Sequence, residues 1–202
     1  IKRVQPETSK VNIHKLSSLH GKKNIKGLPI MTFKERLIDF GKVPKGEKRY
    51  RVGMILGCVQ RVFFSNVNEA TARVLSANGC EIVIPRSQGC CSALPEHQGE
   101  TSQAQALARQ MIDSFEETDV DYVIINAAGC GHTLKEYDHI LADDPEYAQK
   151  AKAFATKVKD VQEFLAEIGL TAKLHPLQAE PLVTVYQDAC HLLHGQKISR
   201  QP

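Results

Sequence analysis

Cysteines are the residues whose type best suits this sequence to chemistry. There are six among 202 residues, too few for a disulfide scaffold and more than an average cytosolic protein uses. Two of them, Cys90 and Cys91, are adjacent, and a disulfide between neighbours would close a strained ring. Soft thiolates bind iron–sulfur clusters, zinc or Cu(I) in preference to hard cations. The cysteines therefore favour a thiolate metal site in a reducing compartment, and they predict a cytoplasmic location.

We predict that four cysteines hold the metal. They are Cys58, Cys90, Cys91 and Cys130, with Cys190 as a fifth, undecided candidate. Four thiolates are the usual complement of a [4Fe–4S] cluster and also suit structural zinc, so both metals stay open. The competing interpretation is that a cysteine is a small buried core residue. We favour that interpretation for Cys80, which lies near the start of a predicted strand.

Glycines stand beside the predicted ligands and are candidates for contact with a cofactor. They are Gly57, Gly89, Gly129 and Gly131. A glycine lets the backbone approach a bulky inorganic core and exposes amides toward its sulfurs. Weaker candidates are the four histidines near the cysteines, namely His97, His132, His191 and His194. A histidine can replace a thiolate or donate a hydrogen bond to a cluster sulfur, but a loop or capping role explains each one more simply.

The predicted secondary structure brings these side chains together. Apolar runs predict strands over residues 51–57, 80–84, 122–126 and 182–186, and helical periodicity predicts helices over 66–78, 101–117, 132–141 and 145–168. Strands that alternate with helices predict an α/β fold, with a mostly parallel sheet flanked by helices in Rossmann-like layers. The strands show little polar alternation, which indicates burial on both faces. Because parallel strands end at a common edge, the cysteines that follow them should meet there.

Residues 1–50 differ in composition from the rest and predict a largely irregular basic linker with one short helix over 32–40. They contain 13 of the 26 Lys and Arg residues but only 4 of the 23 Asp and Glu residues. The predicted boundary divides this linker, 1–50, from a cysteine-rich domain, 51–202. Aromatic residues are scarce among the basic ones, which argues against a nucleic-acid platform. The sequence has no apolar run of membrane-spanning length, so no transmembrane helix is predicted.

Motifs for catalysis are absent from the sequence. It contains no Gly-x-Gly-x-x-Gly, no Gly-x-x-x-x-Gly-Lys-Ser/Thr and no Gly-x-Ser-x-Gly. A reactive thiol needs a lowered pKa and a nearby base, which His97 could supply to Cys90 or Cys91. Metal ligation is the better interpretation of these two thiols. We therefore predict that the chain alone is not catalytic.

Around the cysteines the sequence resembles the CCG cysteine-rich domain family. The family pattern is a cysteine, some thirty residues, Cys-Cys-Gly, some thirty-five to forty residues and a further cysteine. Here Cys58 precedes Cys90 by 32 positions, and Cys91 precedes Cys130 by 39. The family includes the iron–sulfur subunit of glycolate oxidase, a lactate-utilisation subunit and a cysteine-rich subunit of heterodisulfide reductase. The flanks are most similar to the glycolate oxidase type, at residues 57–60, 70–75, 89–94, 129–131, 144–148, 188–192 and 194–196.

The resemblance implies an iron–sulfur electron-transfer subunit of a 2-hydroxy-acid oxidoreductase that acts on glycolate or lactate. An FAD-containing partner subunit would oxidise the substrate, and this subunit would pass the electrons to a quinone or another acceptor. Any association with the inner face of the membrane would come through the complex. The alternatives are a zinc-stabilised structural domain and a thiol redox component like heterodisulfide reductase.

Two residues depart from the family pattern. Ser92 stands where the family has the glycine of Cys-Cys-Gly, and Thr133 stands where the heterodisulfide reductase type has a fifth cysteine. The second departure favours four thiolate ligands over five. Cys190 resembles the first cysteine of a second family repeat, so residues 51–202 would hold the first repeat and the start of the second. We therefore expect the sequence to be a middle piece of a longer subunit.

Overall fold

A parallel sheet lies at the centre of the structure, a computed structural model that describes residues 47–174 and 183–202. The strands within these residues are β1 (Tyr50–Met54), β2 (Cys80–Val83), β3 (Tyr122–Ile125) and β4 (Val158–Asp160). They stand in the order β2-β1-β3-β4, and every neighbouring pair is parallel. The predicted α/β fold with a parallel sheet is confirmed. The helix predicted over 32–40, and nearly all of the predicted linker 1–50, lie outside the described residues.

Helices cover both faces of the sheet. In the described part of the chain they are α1 (Gln60–Phe63), α2 (Ser65–Ala77), α3 (Ala93–His97), α4 (Thr101–Glu116), α5 (Ala128–Lys135), α6 (Tyr137–Ile140), α7 (Ala148–Lys157), α8 (Val161–Ile168) and a π-helical turn, His191–Gly195. Val123 and Ile125 of β3 belong to an apolar core with α4 to α7, whereas Ile124 between them belongs to a core with α2 and α8. Burial on both faces explains why the strands are apolar without alternation.

No helix in the described residues is long and apolar enough to cross a membrane.

The fourth strand lies elsewhere than the sequence predicts. The helix predicted over 145–168 is in fact two helices, α7 and α8, separated by β4, in which Val158 pairs with Val123 of β3. Asp160 then begins α8, because its Oδ1 accepts a hydrogen bond from Gln162 N at 2.9 Å. The Glu163 carboxylate in turn accepts one from Asp160 N at 3.2 Å, which completes a capping box. This aspartate–glutamate spacing marks the start of α8 in the sequence, although the continuous apolar stripe hides it.

The strand predicted over 182–186 is wrong in its described part. Residues 183–186 form no strand, and the side chains of Val183 and Val185 are 101% and 93% exposed. The position beside β3 is taken by β4 instead. Without a neighbouring strand these valines have no sheet face to bury. Leu182 lies outside the described residues, and Cys190 does not follow a strand as predicted.

The helix predicted over 132–141 begins earlier and is divided in two. Its first part, α5, starts at Ala128, and its second part, α6, starts at Tyr137. Glu136 between them ends α5, and its backbone N–H bonds to Thr133 O. Cys130 is therefore part of the first turn of a helix rather than of a loop, which fixes its backbone direction.

Candidate metal centre

Four sulfurs form a row at the carboxyl edge of the sheet. The Sγ atoms of Cys58 and Cys90 are 3.6 Å apart, and the thiols of Cys90 and Cys91, and of Cys91 and Cys130, are close enough to shift each other's pKa. We call these four residues the sulfur row. They lie on the three chain segments that follow β1, β2 and β3. The convergence expected from parallel strands is thus present in the structure.

The sulfur row is covered on one side and open on the other. Cys91 is buried at 2% exposure, whereas Cys58, Cys90 and Cys130 are half-buried. Beneath the row lies Tyr137, which is fully buried and donates its phenolic hydrogen to Cys91 O at 3.0 Å. The sulfurs therefore lie on an apolar floor, with their outer side accessible to a ligand.

The neighbouring thiols shift one another's pKa along the row. The Cys58 thiol donates to Cys90, and burial together with this bond raises the pKa of Cys58. The pKa of Cys90 is raised by the Cys91 thiol and by burial, and the Cys130 thiol helps raise the pKa of Cys91 to about 12. The Cys91 thiol in turn lowers the pKa of Cys130. In the metal-free protein Cys130 is thus the thiol of the row that ionises first.

Backbone amides also point at the sulfurs. The N–H groups of Val59, Ser92 and Ala93 donate to the sulfurs of Cys58, Cys90 and Cys91, and each bond lowers the pKa of the thiol that accepts it. Hydrogen bonds of this kind favour the charged form of the acceptor. The fold therefore provides donors for anionic sulfur even though burial and thiol neighbours oppose ionisation.

The candidate glycines differ in what surrounds them. Gly57 adopts a φ of +70° in the turn before Cys58. A Cβ at Gly131 would lie 2.8 Å from Gln196 Nε2, whereas a Cβ at Gly129 would meet nothing within 4 Å. At Gly89 a Cβ would come within 3.2 Å of the Gln110 amide. Contact of these glycines with a cofactor stays a prediction, and Gly129 has the open space for one.

A network of amide side chains positions the segment that carries Cys58. Asn68 is fully buried and donates to Leu56 O at 2.8 Å, and its Oδ1 accepts from Asn126 Nδ2 at 3.1 Å. Gln60, two residues after Cys58, donates to Asn126 Oδ1. The network links the chain after β1 to the chain after β3. The sequence did not predict these residues, because Asn68 belongs to the face of α2 that the structure buries together with Ala72 and Leu75, whereas Val67 and Val74 are exposed.

A second amide holds the same segment from the other side. Gln88 is buried, and its Oε1 accepts from Leu56 N at 2.8 Å while its Nε2 donates to Met54 O at 3.1 Å. Because Gln88 lies two residues before Cys90, it joins the β1 and β2 segments directly. Buried amides that satisfy backbone groups in this way fix a single geometry.

Cys190 differs from the four residues of the sulfur row in its exposure. It is exposed and precedes the π-helical turn, which packs on α5 through a hydrogen bond from Gln196 Nε2 to Ala128 O at 2.9 Å. The ring centroid of His191 lies 5.4 Å from that of His97 and 5.6 Å from that of His132. The structure thus gathers three of the four candidate histidines beside α5, and His194 is exposed.

Cys80 lies at the other edge of the sheet, at the amino end of β2, where it pairs with Tyr50. It is 1% exposed and belongs to the core that contains Ile82 and Phe164. Burial raises its pKa to about 11, although the charge of Arg49 opposes that shift. Its place in the structure is that of a core residue.

Among the described residues, no group of three or more His, Cys, Asp or Glu side chains has the arrangement needed to hold a single metal ion. The sulfurs form a row of contacts rather than a cage around one point.

Comparison with known proteins places these residues in a family. Residues 52–135 match the model of the cysteine-rich domain called CCG. Over 157 residues the chain is 44% identical to the probable glycolate oxidase iron–sulfur subunit of Bacillus subtilis, a match that covers 78% of this chain and 35% of that protein. An uncharacterized iron–sulfur protein of Methanocaldococcus jannaschii is 35% identical over 175 residues, covering 87% of this chain and 31% of that protein.

A further relative is lactate utilization protein A of Geobacillus thermodenitrificans, which is 33% identical over 150 residues, covering 73% of this chain and 61% of that protein. The chain thus spans about a third of the length of the first two relatives and about three fifths of the third. No solved structure matches the chain significantly. All four residues of the sulfur row fall within the matched span, and over residues 52–135 this chain belongs to the CCG cysteine-rich domain family.

Proposed function

We propose that this chain is the cysteine-rich part of an iron–sulfur electron-transfer subunit of a 2-hydroxy-acid oxidoreductase. In this proposal Cys58, Cys90, Cys91 and Cys130 are the ligands of a [4Fe–4S] cluster. The observation that carries it is the sulfur row, in which residues up to 72 positions apart in the sequence are linked side chain to side chain. The names of two relatives, a glycolate oxidase iron–sulfur subunit and a lactate utilization protein, supply the substrate class.

The surroundings of the sulfur row suit an anionic cluster. Thiolates are the usual ligands of iron–sulfur clusters, and the amides of Val59, Ser92 and Ala93 already donate to three of the sulfurs. Such a cluster, when bound, supplies one-electron transfer. The chain's part is to release the thiol protons, to hold the sulfurs, and to keep water from the floor formed by Tyr137 and Leu134, which are fully buried.

The proposed partner is an FAD-containing subunit. Oxidation of a 2-hydroxy acid to the 2-oxo acid releases two electrons and two protons, which a flavin can accept together and pass on singly. Beside Cys58 lies a surface suited to such a partner, the apolar patch, formed by Val59, Val62, Phe63 and Phe64, each more than half exposed. Exposed apolar groups of this kind mark interaction sites. The same proposal places the complex in the cytoplasm, with a quinone at the inner membrane face among its acceptors.

Zinc is the second candidate, because one sulfur–sulfur distance suits it, although no three of the described side chains are arranged around a single ion. Four sulfurs at about 2.3 Å from a tetrahedral zinc ion are about 3.8 Å apart, close to the 3.6 Å between Cys58 and Cys90. A thiol redox role like that of heterodisulfide reductase has less support. Thr133 occupies the position of its fifth cysteine, where it is buried and donates to Gly129 O at 3.3 Å within α5.

Metal analysis of the full chain separates these candidates. The protein is purified without oxygen, reconstituted with iron and sulfide, and examined for iron, zinc, acid-labile sulfide, visible absorption and electron paramagnetic resonance after reduction. We expect iron and sulfide in equal amounts with a reducible visible band. Zinc without sulfide would favour the structural role, and a folded protein that binds neither metal would refute both.

A further inference from the structure

Ser92 occupies a backbone position that suits glycine better than serine. Its φ is +65° and its ψ is 0°, in the left-handed region, which is unfavourable for a residue with a side chain. The family pattern has glycine at this position. The residue is also fully buried, directly after Cys90 and Cys91. A serine here therefore carries a conformational cost that glycine would not.

The serine carries a second cost, because its hydroxyl has no partner. Ser92 Oγ is buried and makes no hydrogen bond, which is unfavourable for a buried polar group. The Ser92 hydroxyl lowers the pKa of the neighbouring Tyr137 phenol as a hydrogen-bond donor would, but the distance and angle between the two hydroxyls lie outside hydrogen-bond geometry. Tyr137 instead donates to Cys91 O. A buried unpaired donor beside a proposed binding site indicates an acceptor that the protein itself does not supply.

The position of Ser92 identifies that acceptor as sulfur. Its backbone N–H already donates to Cys90 Sγ, so the residue lies against the sulfur row. Around it the chain gathers four sulfurs, and a cluster would add inorganic sulfide to them. Anionic sulfur accepts hydrogen bonds, and such bonds set the potential of iron–sulfur centres.

We propose that the Ser92 hydroxyl donates a hydrogen bond to a sulfur of the bound metal centre and thereby raises its reduction potential. The bond is stronger when the centre is reduced, because the sulfurs then carry more negative charge, so it stabilises the reduced form. Ser92 is a positioning residue in this role, since it acts through the sulfur rather than on the substrate. The inference rests on the proposed iron–sulfur function.

The test compares Ser92→Gly and Ser92→Ala with the wild-type full chain. Both variants lack the hydroxyl, but glycine relieves the positive φ and alanine does not. The unfolding equilibrium constant of Ser92→Gly should therefore be about fivefold smaller than that of Ser92→Ala in urea titrations. Both should retain iron and sulfide. Both should also show a reduction equilibrium constant that is about threefold to tenfold smaller, a shift of about 30 to 60 mV for one electron. Thr156→Ala, which removes an exposed hydroxyl at the other end of the sheet, should leave the potential unchanged.

The outcomes distinguish this inference from the proposed function. If wild-type protein binds no iron and sulfide, both fail. If all variants hold the cluster at one potential, or if both Ser92 variants lose the cluster, the inference fails alone, because a tuning donor is not required for assembly. A change in reduction potential in Ser92→Ala but not in Ser92→Gly would also refute the inference, because the potential would then depend on backbone strain and not on the hydroxyl. Measuring the Ser92→Gly change in reduction potential in a Tyr137→Phe background tests for an effect that acts through the phenol. A direct hydrogen bond from Ser92 to sulfur predicts the same change whether or not the Tyr137 hydroxyl is present.

Discussion

The sulfur atoms of Cys58 and Cys90 lie 3.6 Å apart although 32 residues separate them in the chain. The contact exists because β1 and β2 are neighbouring parallel strands, so that the segments that follow them leave the sheet at the same edge. Gln88 reinforces the juxtaposition by bonding to the backbone on both sides of Ile55, at Met54 O and Leu56 N. The proximity of the two thiols therefore follows from the pairing of these strands and from the Gln88 side chain.

Substitution of Cys58 should remove most of the bound iron, whereas substitution of Cys80 should not. Cys58→Ser loses one of four proposed ligands and keeps the volume of the side chain. Cys80→Ala truncates a core residue at the opposite edge of the sheet and should cost about 1–2 kcal/mol in the free energy of unfolding. Iron and sulfide per chain, together with urea unfolding, measure both effects. Full iron in Cys58→Ser would contradict the proposed ligand set.

The metal-free protein should react with iodoacetamide fastest, within the sulfur row, at Cys130. The neighbouring Cys91 thiol lowers the pKa of Cys130, whereas burial and the bond to Cys90 raise the pKa of Cys58, and only the thiolate reacts. The preference should be largest below the ordinary thiol pKa and should shrink as the pH rises through it, because Cys58 then ionises as well. Mass spectrometry of peptides after brief alkylation measures the ratio.

A matched variant tests the cause of that preference. Cys91→Ala removes the thiol that lowers the pKa of Cys130, so that pKa should rise and the alkylation of Cys130 at neutral pH should slow by several fold. Exposed Cys190 serves as the internal standard, because its environment does not change. A ratio of Cys130 to Cys58 alkylation that is independent of pH would show that access, and not ionisation, controls the rates.

Alanine at two neighbouring glycines should give opposite results. In Gly131→Ala the new methyl would lie 2.8 Å from Gln196 Nε2 and 3.1 Å from Ile125 Cγ2, and we expect a loss of about 1–3 kcal/mol in the free energy of unfolding. In Gly129→Ala the methyl meets no atom within 4 Å, and the metal-free protein should gain up to about 1 kcal/mol from helix propensity. If the open space holds the cluster, Gly129→Ala should nevertheless retain less iron. Urea unfolding of metal-free protein and iron analysis of reconstituted protein check the pair.

Polar substitution in the apolar patch should weaken partner binding without affecting iron. Phe63→Ser and Phe64→Ser change side chains that are more than half exposed, so stability should change by no more than about 0.5 kcal/mol. The control is Leu170→Ser, which changes a half-exposed leucine. Leu170 follows Gly169, whose carbonyl accepts a hydrogen bond from Arg49 at the amino end of β1. Electron transfer from the flavin subunit, measured by the reduction of the cluster, should fall several fold in the two phenylalanine variants only. Equal loss in all three would assign the effect to something other than the patch.

The sequence was sufficient for the features that depend on short-range pattern. The apolar runs located β1, β2 and β3, and their alternation with helices indicated the parallel sheet that the structure confirms. The spacing of Cys58, Cys90–Cys91 and Cys130 matched the family and, through the rule that parallel strands end at one edge, indicated where the thiols meet. In each case the information lies within one element or in a rule of topology.

Features that depend on contacts between distant segments could not be obtained in this way. β4 has only three residues and is stabilised by pairing with β3, so the helical periodicity on either side of it predicted one continuous helix. The alternating Val183 and Val185 suggested a strand, but both side chains are exposed and pair with no strand of the sheet. Residue type alone does not show that Asn68 and Asn126 share a hydrogen bond.

By itself, then, the sequence determined which cysteines follow the three long strands and what family they resemble. Only the tertiary structure decided that their sulfurs form a row in which the pKa of Cys130 alone is lowered, that Cys190 is exposed, and that the Ser92 hydroxyl is buried without a partner. The physical reason is that hydrogen-bond direction and burial depend on angles and distances between segments, which the folded sheet fixes and residue spacing does not.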